Sequence, residues 1–261
     1  MTDLENIAKK HDTDKVNDHN YIKVYEKYFI TSRNKEISLF EVGVGGYHDP
    51  KSGGNSLKVW EEYFPNGKIY AIDMFDKNPL QTNKTKIFKC SQTDKFALEK
   101  IFQNIGDVDF IIDDGSHQSR DIIKTFEYTF KFLKNGGYYF IEDIQTSYWS
   151  GYQGDSFYLK KEKTAINYFK KIIDKINYQE FDNPFYKADY FSKNITEIHF
   201  YHNLIVVKKE INDELSNIVK NNMLPIKKKN FYKIRLILRY SKYVLRYIKY
   251  FYNTFLDKIK L

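Results

Sequence analysis

The chain has 261 residues, with 42 Lys and Arg against 34 Asp and Glu, and a single cysteine, Cys90. One thiol excludes an internal disulfide framework and points to a reducing, cytoplasmic setting. An N-terminal signal-like segment and an apolar run of about 18 residues are both missing, which argues against export and against a membrane span. The length suits one large α/β domain or a medium domain with an appendage.

Residues 1–30 predict a short helix, a polar turn and a second helix, in which Tyr21, Val24, Tyr25 and Tyr28 recur at helical spacing. Two readings stand for this segment. It is a helical cap on the sheet edge, or a lid that brings Lys15, His19 and Tyr21 over a ligand.

Residues 37–46, ISLFEVGVGG, form an apolar run that ends in Glu41 and closely spaced glycines. A helix over SLKVWEEYF follows, with Asn55 or Ser56 as its N-cap. In a strand, glycine-rich turn, helix unit the backbone can approach a ligand closely at the carboxyl edge of the sheet. KIYAIDMF (68–75) then predicts a second strand ending in Asp73, the placement of an acid that binds ribose hydroxyls. TKIFKC is the third strand, and a helix covers about 94–104. VDFIIDD is the fourth strand. The helix after it runs over 119–133 and is broken by Asn135-Gly136-Gly137 before the fifth strand, GYYFIED.

Strands alternating with helices of this length imply an α/β fold, a parallel sheet with helices on both faces. The carboxyl ends of all five strands then share one rim. Glu41, Asp73, Asp113, Asp114, Glu142 and Asp143 converge there by topology, with His117 just past the fourth strand. Four acids at the ends of two buried strands call for a cation or a ligand's hydroxyls. The plainer alternatives are that His117 caps the next helix and that Glu142-Asp143 is a solvated turn. Adjacent strand residues also point to opposite faces, so both acids reach one ion only if the strand breaks between them.

Residues 144–160 predict a Ser/Gly/aromatic loop bordering the rim, and 161–176 a helix. Residues 196–209 predict two strands about a tight turn near His202-Asn203, an antiparallel hairpin closing the parallel sheet. From 221 to 261 there are 11 Lys and Arg and one acid, Asp257; the first 220 residues carry 31 and 33. The basicity belongs to the tail. There Arg235, Arg239, Lys242, Arg246 and Lys249 step by 4, 3, 4 and 3, a positive stripe on a helix whose remainder, from Leu238 to Phe255, is largely apolar and aromatic. Such a helix suits an anionic membrane surface, which would make the protein peripheral at the inner membrane face. An acidic polymer, or packing as an oligomer or domain helix, are the alternatives. Nucleic acid fits least, because the body carries −2.

The stretches TDK…HNYIKVYEKYF, FEVGVGGYHDPKSGGNSLKVW, IYAIDMFDK, SQTD, DDGSH and FIEDIQTSYW occur in order over about residues 5–210. Together they resemble the class I S-adenosylmethionine-dependent methyltransferases, and more narrowly the macrolide-sugar O-methyltransferases of the mycinamicin and macrocin type. DDGSH followed by IEDIQTSYW is the specific part; the EVGVGG turn is generic.

The resemblance implies a Rossmann-like, seven-stranded, mostly parallel sheet with a terminal antiparallel hairpin. It divides the chain into a cap (1–30), a methyltransferase domain (31–210) and a tail (211–261) outside the similarity. It implies magnesium-dependent methyl transfer to a sugar hydroxyl; the acceptor expected here is a surface polysaccharide or a nucleotide-linked precursor. Asp114, Glu142 and Asp143 would then hold the metal and His117 would be the general base. Glu41, Gly43, Gly45, Ser56, Asp73, Gln92 and Asp113 would line the cofactor site, with Lys15 and Tyr21 closing over it. Mg²⁺ prefers hard oxygen ligands and leaves positions for substrate oxygens, which explains why carboxylates are wanted there. The rival readings are a catechol-like small acceptor, and a non-catalytic binder of glycan or cofactor tethered at a membrane.

Overall fold

The computed structural model describes residues 2–181, 183, 185–216 and 232–259. The chain forms two compact units, Met1–Asn177 with Ala188–Asp213, and Tyr178–Lys187 with Glu214–Leu261.

The first unit is built on a seven-stranded sheet of β1 (Ser38–Val42), β2 (Lys68–Asp73), β3 (Thr85–Lys89), β4 (Val108–Asp113), β5 (Leu133–Ile141), β6 (Ile195–Tyr201) and β7 (Leu204–Lys209). The order is β3-β2-β1-β4-β5-β7-β6, with β1 to β5 parallel and the β6–β7 hairpin antiparallel. The hairpin turns at His202-Asn203, as expected, with Asn203 at φ +62°.

Among the described residues, eight α-helices accompany the sheet: α1 (Asp3–Lys10), α2 (Asp14–Asn17), α3 (Ile22–Phe29), α4 (Asn55–Tyr63), α5 (Lys95–Ile105), α6 (Ser119–Thr129), α7 (Ala165–Ile176) and α8 (Tyr190–Asn194). Side chains alternate across a strand, so each strand feeds two cores. Leu39, Ile69, Phe110, Ile112, Phe140 and Val206 pack with α1, α3 and α4 on one face. Phe40, Ile72, Ile111, Tyr139, Ile141 and Val207 pack with α5, α6 and α7 on the other. The N-terminal helices are therefore not a cap on the sheet edge. Tyr25 and Phe29 pack in tilted contact on Phe140 and Phe110 in the middle of a face.

Three boundaries differ from expectation. α4 is preceded by Gly54 in a left-handed conformation (φ +71°), and Asn55 and Ser56 are already helical. α6 ends at Thr129, and Asn135-Gly136-Gly137 lies inside β5 rather than stopping a helix. The pairing with β4 shifts register there, and Gly136 (φ +85°) absorbs the irregularity. α7 starts four residues later than predicted, at Ala165.

In the second unit, α9 (Tyr232–Ile259) is a helix of 28 residues. Its side chains at Arg235, Leu238 and Arg239, part of the expected stripe and apolar face, lie outside the described residues. Among the described residues, no helix is long and apolar enough to cross a membrane.

Candidate active site at the carboxyl rim of the sheet

Strand alternation decides which acids meet. Glu41, Asp114 and Glu142 fall on the face covered by α3 and α4, whereas Asp113 falls on the opposite face. The first three converge on one ammonium. Lys15 Nζ lies 2.6 Å from Asp114 Oδ2, 2.7 Å from Glu142 Oε2 and 3.8 Å from Glu41 Oε1, and is itself 1% exposed. Tyr25 donates its hydroxyl to the other Glu142 oxygen, and Trp60 Nε1 donates to Glu41 Oε2 at 2.8 Å.

Burial opposes the Lys15 charge, but the three carboxylates outweigh it and hold the ammonium well above its ordinary range. One cation against three acids leaves surplus negative charge out of water. Burial accordingly pushes the Glu41 carboxyl up to about 7 against the pull of Lys15, and raises Glu142 as well.

Asp143 would face away from this group if β5 continued. It does not: β5 ends at Ile141, and Asp143 is left-handed (φ 51°, ψ 37°). The turn aims Asp143 at the N-terminal segment and at His117. Tyr21 donates its hydroxyl to Asp143 Oδ1 at 2.7 Å, and His19, stacked on Tyr21, lies 3.7 Å from the same oxygen. Burial pushes the Asp143 carboxyl up, but Tyr21, His117, Gln145 and His19 together hold it below the usual carboxylate range.

His117 also has positive φ (+56°). Two non-glycine residues in that region mark stored backbone strain, which persists only when the surroundings enforce it. The buried Thr146 hydroxyl lies 2.9 Å from the carbonyl oxygens of both His117 and Asp143, tying the two turns together. His117 Nε2 then sits 3.8 Å from Asp114 Oδ1 and 3.7 Å from Asp143 Oδ2. One ligand atom each from Asp114, His117 and Asp143 falls within 4.8 Å, the spacing of a metal-binding group. Each of the two aspartates turns one oxygen to His117 and the other to the N-terminal segment. The two carboxylates offer the hard oxygens that Mg²⁺ prefers; Glu142, expected as a third ligand, lies outside this group, with its oxygens on Lys15 and Tyr25.

The residues expected to line the cofactor site form the neighbouring half of the rim. Gly43 (φ +93°) follows β1, and a Cβ there would overlap the Asp114 carbonyl oxygen, so only glycine lets the two loops touch. Gly45 (φ +76°) faces open space. Asp73 accepts from Val44 N at 3.0 Å and Phe75 N at 2.8 Å, which fixes the glycine loop against the end of β2. Ser56, in the first turn of α4, donates toward Glu41. On the other face Gln92 bonds Thr125, Ser116 N and, at 3.5 Å, the buried Asp113, whose carboxyl burial raises well above its ordinary range. The structure thus brings Glu41, Gly43, Gly45, Ser56 and Asp73 to one loop cluster. Gln92 and Asp113 adjoin it from the opposite face. Lys15 and Tyr21, expected over the cofactor, are bonded to the acids beside His117.

Sequence reasoning missed Tyr25, Trp60, Thr146 and Lys77. Lys77 is buried and donates to the carbonyls of Asp49 and Ser52 at 2.7 and 3.0 Å, stapling the long loop after β1. Tyr25 and Trp60 carried a usable signal, since a buried hydroxyl or indole N–H needs an acceptor. Lys77 and Thr146 carried none that was local.

A cavity of about 420 Å³ opens between the α2–α3 connection and the β6–β7 turn, lined among others by Asn20, Tyr201, His202 and Asn203 and by His19 and Tyr21, which on their other side approach Asp143.

No family model matches the sequence. The chain is 34% identical over 213 residues to an 8-demethyl-8-alpha-L-rhamnosyl tetracenomycin-C 2'-O-methyltransferase of Streptomyces olivaceus, covering 80% of this chain and 55% of that protein. It is 35% identical over 214 residues to a mycinamicin VI 2''-O-methyltransferase of Micromonospora griseorubida, covering 81% and 54%. Among solved structures it resembles the MycE methyltransferase in complex with Mg and SAH, at 34% identity and a TM-score of 0.78, covering 82% of this chain and 56% of that one. A second MycE complex, with Mg, SAH and mycinamycin VI, gives a TM-score of 0.77. The chain spans about half the length of the curated relatives it matches.

Proposed function

The chain carries the class I S-adenosylmethionine-dependent methyltransferase fold and is homologous over four-fifths of its length to sugar O-methyltransferases, and from that premise we propose that it methylates a sugar hydroxyl with S-adenosylmethionine and Mg²⁺. The observation that carries the reading is the meeting of Asp114, His117 and Asp143 within ligand spacing, beside the glycine loop. The MycE complexes with Mg and SAH support the choice of cofactors.

Asp114 and Asp143 would hold the metal, and Glu142 would join them from the buried side. Glu142 is shared with Lys15, so a cation drawing on its carboxylate competes with that ammonium. Bound Mg²⁺ supplies a Lewis acid that lowers the pKa of a coordinated hydroxyl. Bound S-adenosylmethionine supplies an electrophilic methyl group. His117 Nε2, oriented by the two aspartates, takes the hydroxyl proton as general base. Glu41, Gly43, Gly45, Ser56, Asp73, Gln92 and Asp113 would hold the cofactor, supplying the positioning that methyl transfer requires.

The cavity between the α2–α3 connection and the β6–β7 turn suits the acceptor, since His19, Asn20, His202 and Asn203 offer the polar groups a sugar needs and Tyr21 and Tyr201 the flat surfaces. Residues 1–30 wall this side of the site in this reading, since Lys15, Tyr21 and Tyr25 bond Asp114, Asp143 and Glu142. Among possible carriers of the sugar, the relatives favour a glycosylated small molecule over a surface polysaccharide or a nucleotide-linked precursor. A screen of methyl transfer over glycosides and catechols, with Mg²⁺ or EDTA, tests the reading. Transfer to catechols alone would replace the sugar acceptor.

A further inference from the structure

The tail helix α9 plays no part in the chemistry above, and two of its faces differ sharply. At about 100° per residue, Val244, Ile248, Phe251 and Phe255 line one stripe of the helix. Lys242, Arg246 and Lys249 line another, on the order of 160° away. Among the described residues nothing covers the apolar stripe: Val244, Ile248, Phe251 and Phe255 are 58–61% exposed. Tyr240, Tyr247 and Tyr252 flank it and are exposed too.

We propose that α9 is a membrane-surface anchor that lies in the interface of an anionic phospholipid bilayer, with its apolar stripe in the acyl boundary and its basic stripe toward the headgroups. Three features choose this occupant. The helix cannot span, so a bilayer can take it only parallel to the surface. Its tyrosines each pair an aromatic body with a hydroxyl, the composition enriched where hydrocarbon meets water. Its cations complement an anionic leaflet. An acidic polymer would satisfy the basic stripe but leave Ile248 and Phe251 in water. A second copy of the helix would cover the apolar stripe but leave the cations without a counterpart. A bilayer engages both, and the methyl-transfer reading plays no role in the argument.

The test is flotation of the full chain with vesicles of phosphatidylcholine alone or mixed with phosphatidylglycerol. The chain should float with the mixed vesicles only, less so as salt rises. Reversing the three charges (K242E, R246E, K249E) should weaken binding on the order of 100-fold. The apolar variant I248E with F251E should abolish it. A Phe251→Trp variant, read against the wild-type background, should shift its fluorescence to the blue with mixed vesicles. Failure of the wild-type chain to float with mixed vesicles overturns the proposal. So does a dimer in light scattering that I248E with F251E dissolves, or heparin binding as tight as vesicle binding and indifferent to I248E with F251E.

Discussion

Lys15 and Asp114, 99 residues apart in sequence, meet in a 2.6 Å ion pair that ties the N-terminal segment to the turn carrying His117. The same ammonium holds Glu142 from the next strand. Removing it leaves buried carboxylates without a counter-charge. Lys15→Met should therefore destabilise the fold by about 3–5 kcal/mol, the usual consequence of breaking a buried pair from one side. Mg²⁺ should recover part of that loss in the variant, and stabilise it more than the wild type. Urea unfolding with and without Mg²⁺ measures both; a wild-type midpoint in the variant would contradict the pairing.

His117 is assigned the proton and the aspartates the metal. His117→Ala should lower kcat by about 10²–10⁴-fold while leaving Mg²⁺ affinity nearly unchanged. If instead affinity for the ion collapses with turnover, His117 is a ligand and the base lies elsewhere. Titration calorimetry with Mg²⁺ beside the kinetics separates the two.

The glycine loop makes an ordered prediction about two neighbours. At Gly43 a side chain meets the Asp114 backbone and also needs a left-handed conformation. Gly43→Ala should cost roughly 2–4 kcal/mol and lose metal binding with it. Gly45→Ala meets no atom and bears only the backbone strain, about 1 kcal/mol, so its loss should appear mainly in S-adenosylmethionine affinity. Equal effects of the two changes on stability would remove the claim that Gly43 is reserved for contact with Asp114.

Much of this site could be read in the chain. Apolar runs of strand length along 37–46, 108–114 and 137–143 located the strands and brought their acids to one rim, because a parallel sheet puts every strand's carboxyl end on the same side. The break at Asp143 could not be read. Nothing in IEDIQ requires a left-handed aspartate; Thr146, three residues on, bonds its carbonyl, but Tyr21 and the hairpin turn that hold it are distant in sequence. Asn135-Gly136-Gly137 misled for the opposite reason, since a helix stop and a strand irregularity use the same residues. Lys15 looked like a lid residue because its partners lie 99 and 127 positions away, beyond any local pattern.

Glu41 predicts a pH dependence. Burial raises its carboxyl from 4.5 to about 7, so the folded state keeps a proton that the unfolded chain has already lost. The folded state binds more protons over that window, and its stability falls as pH rises from about 4.5 to about 7. The slope should be worth roughly 3 kcal/mol across the window. Glu142, raised in the same direction, adds to it. Glu41→Gln should flatten the curve, gaining on the wild type with rising pH; denaturation midpoints at about pH 5 and about pH 8 would show it. Parallel curves for the two proteins would contradict the assignment.

The central claim is metal-assisted methyl transfer to a sugar at Asp114, His117 and Asp143. The direct measurement is label transfer from methyl-labelled S-adenosylmethionine to a panel of glycosides, run with Mg²⁺, with EDTA, and with EDTA followed by excess Mg²⁺. Labelled sugar should form with Mg²⁺, disappear with EDTA and return on re-addition, and Asp143→Asn should suppress it throughout. Transfer that continues undiminished in EDTA would contradict the account.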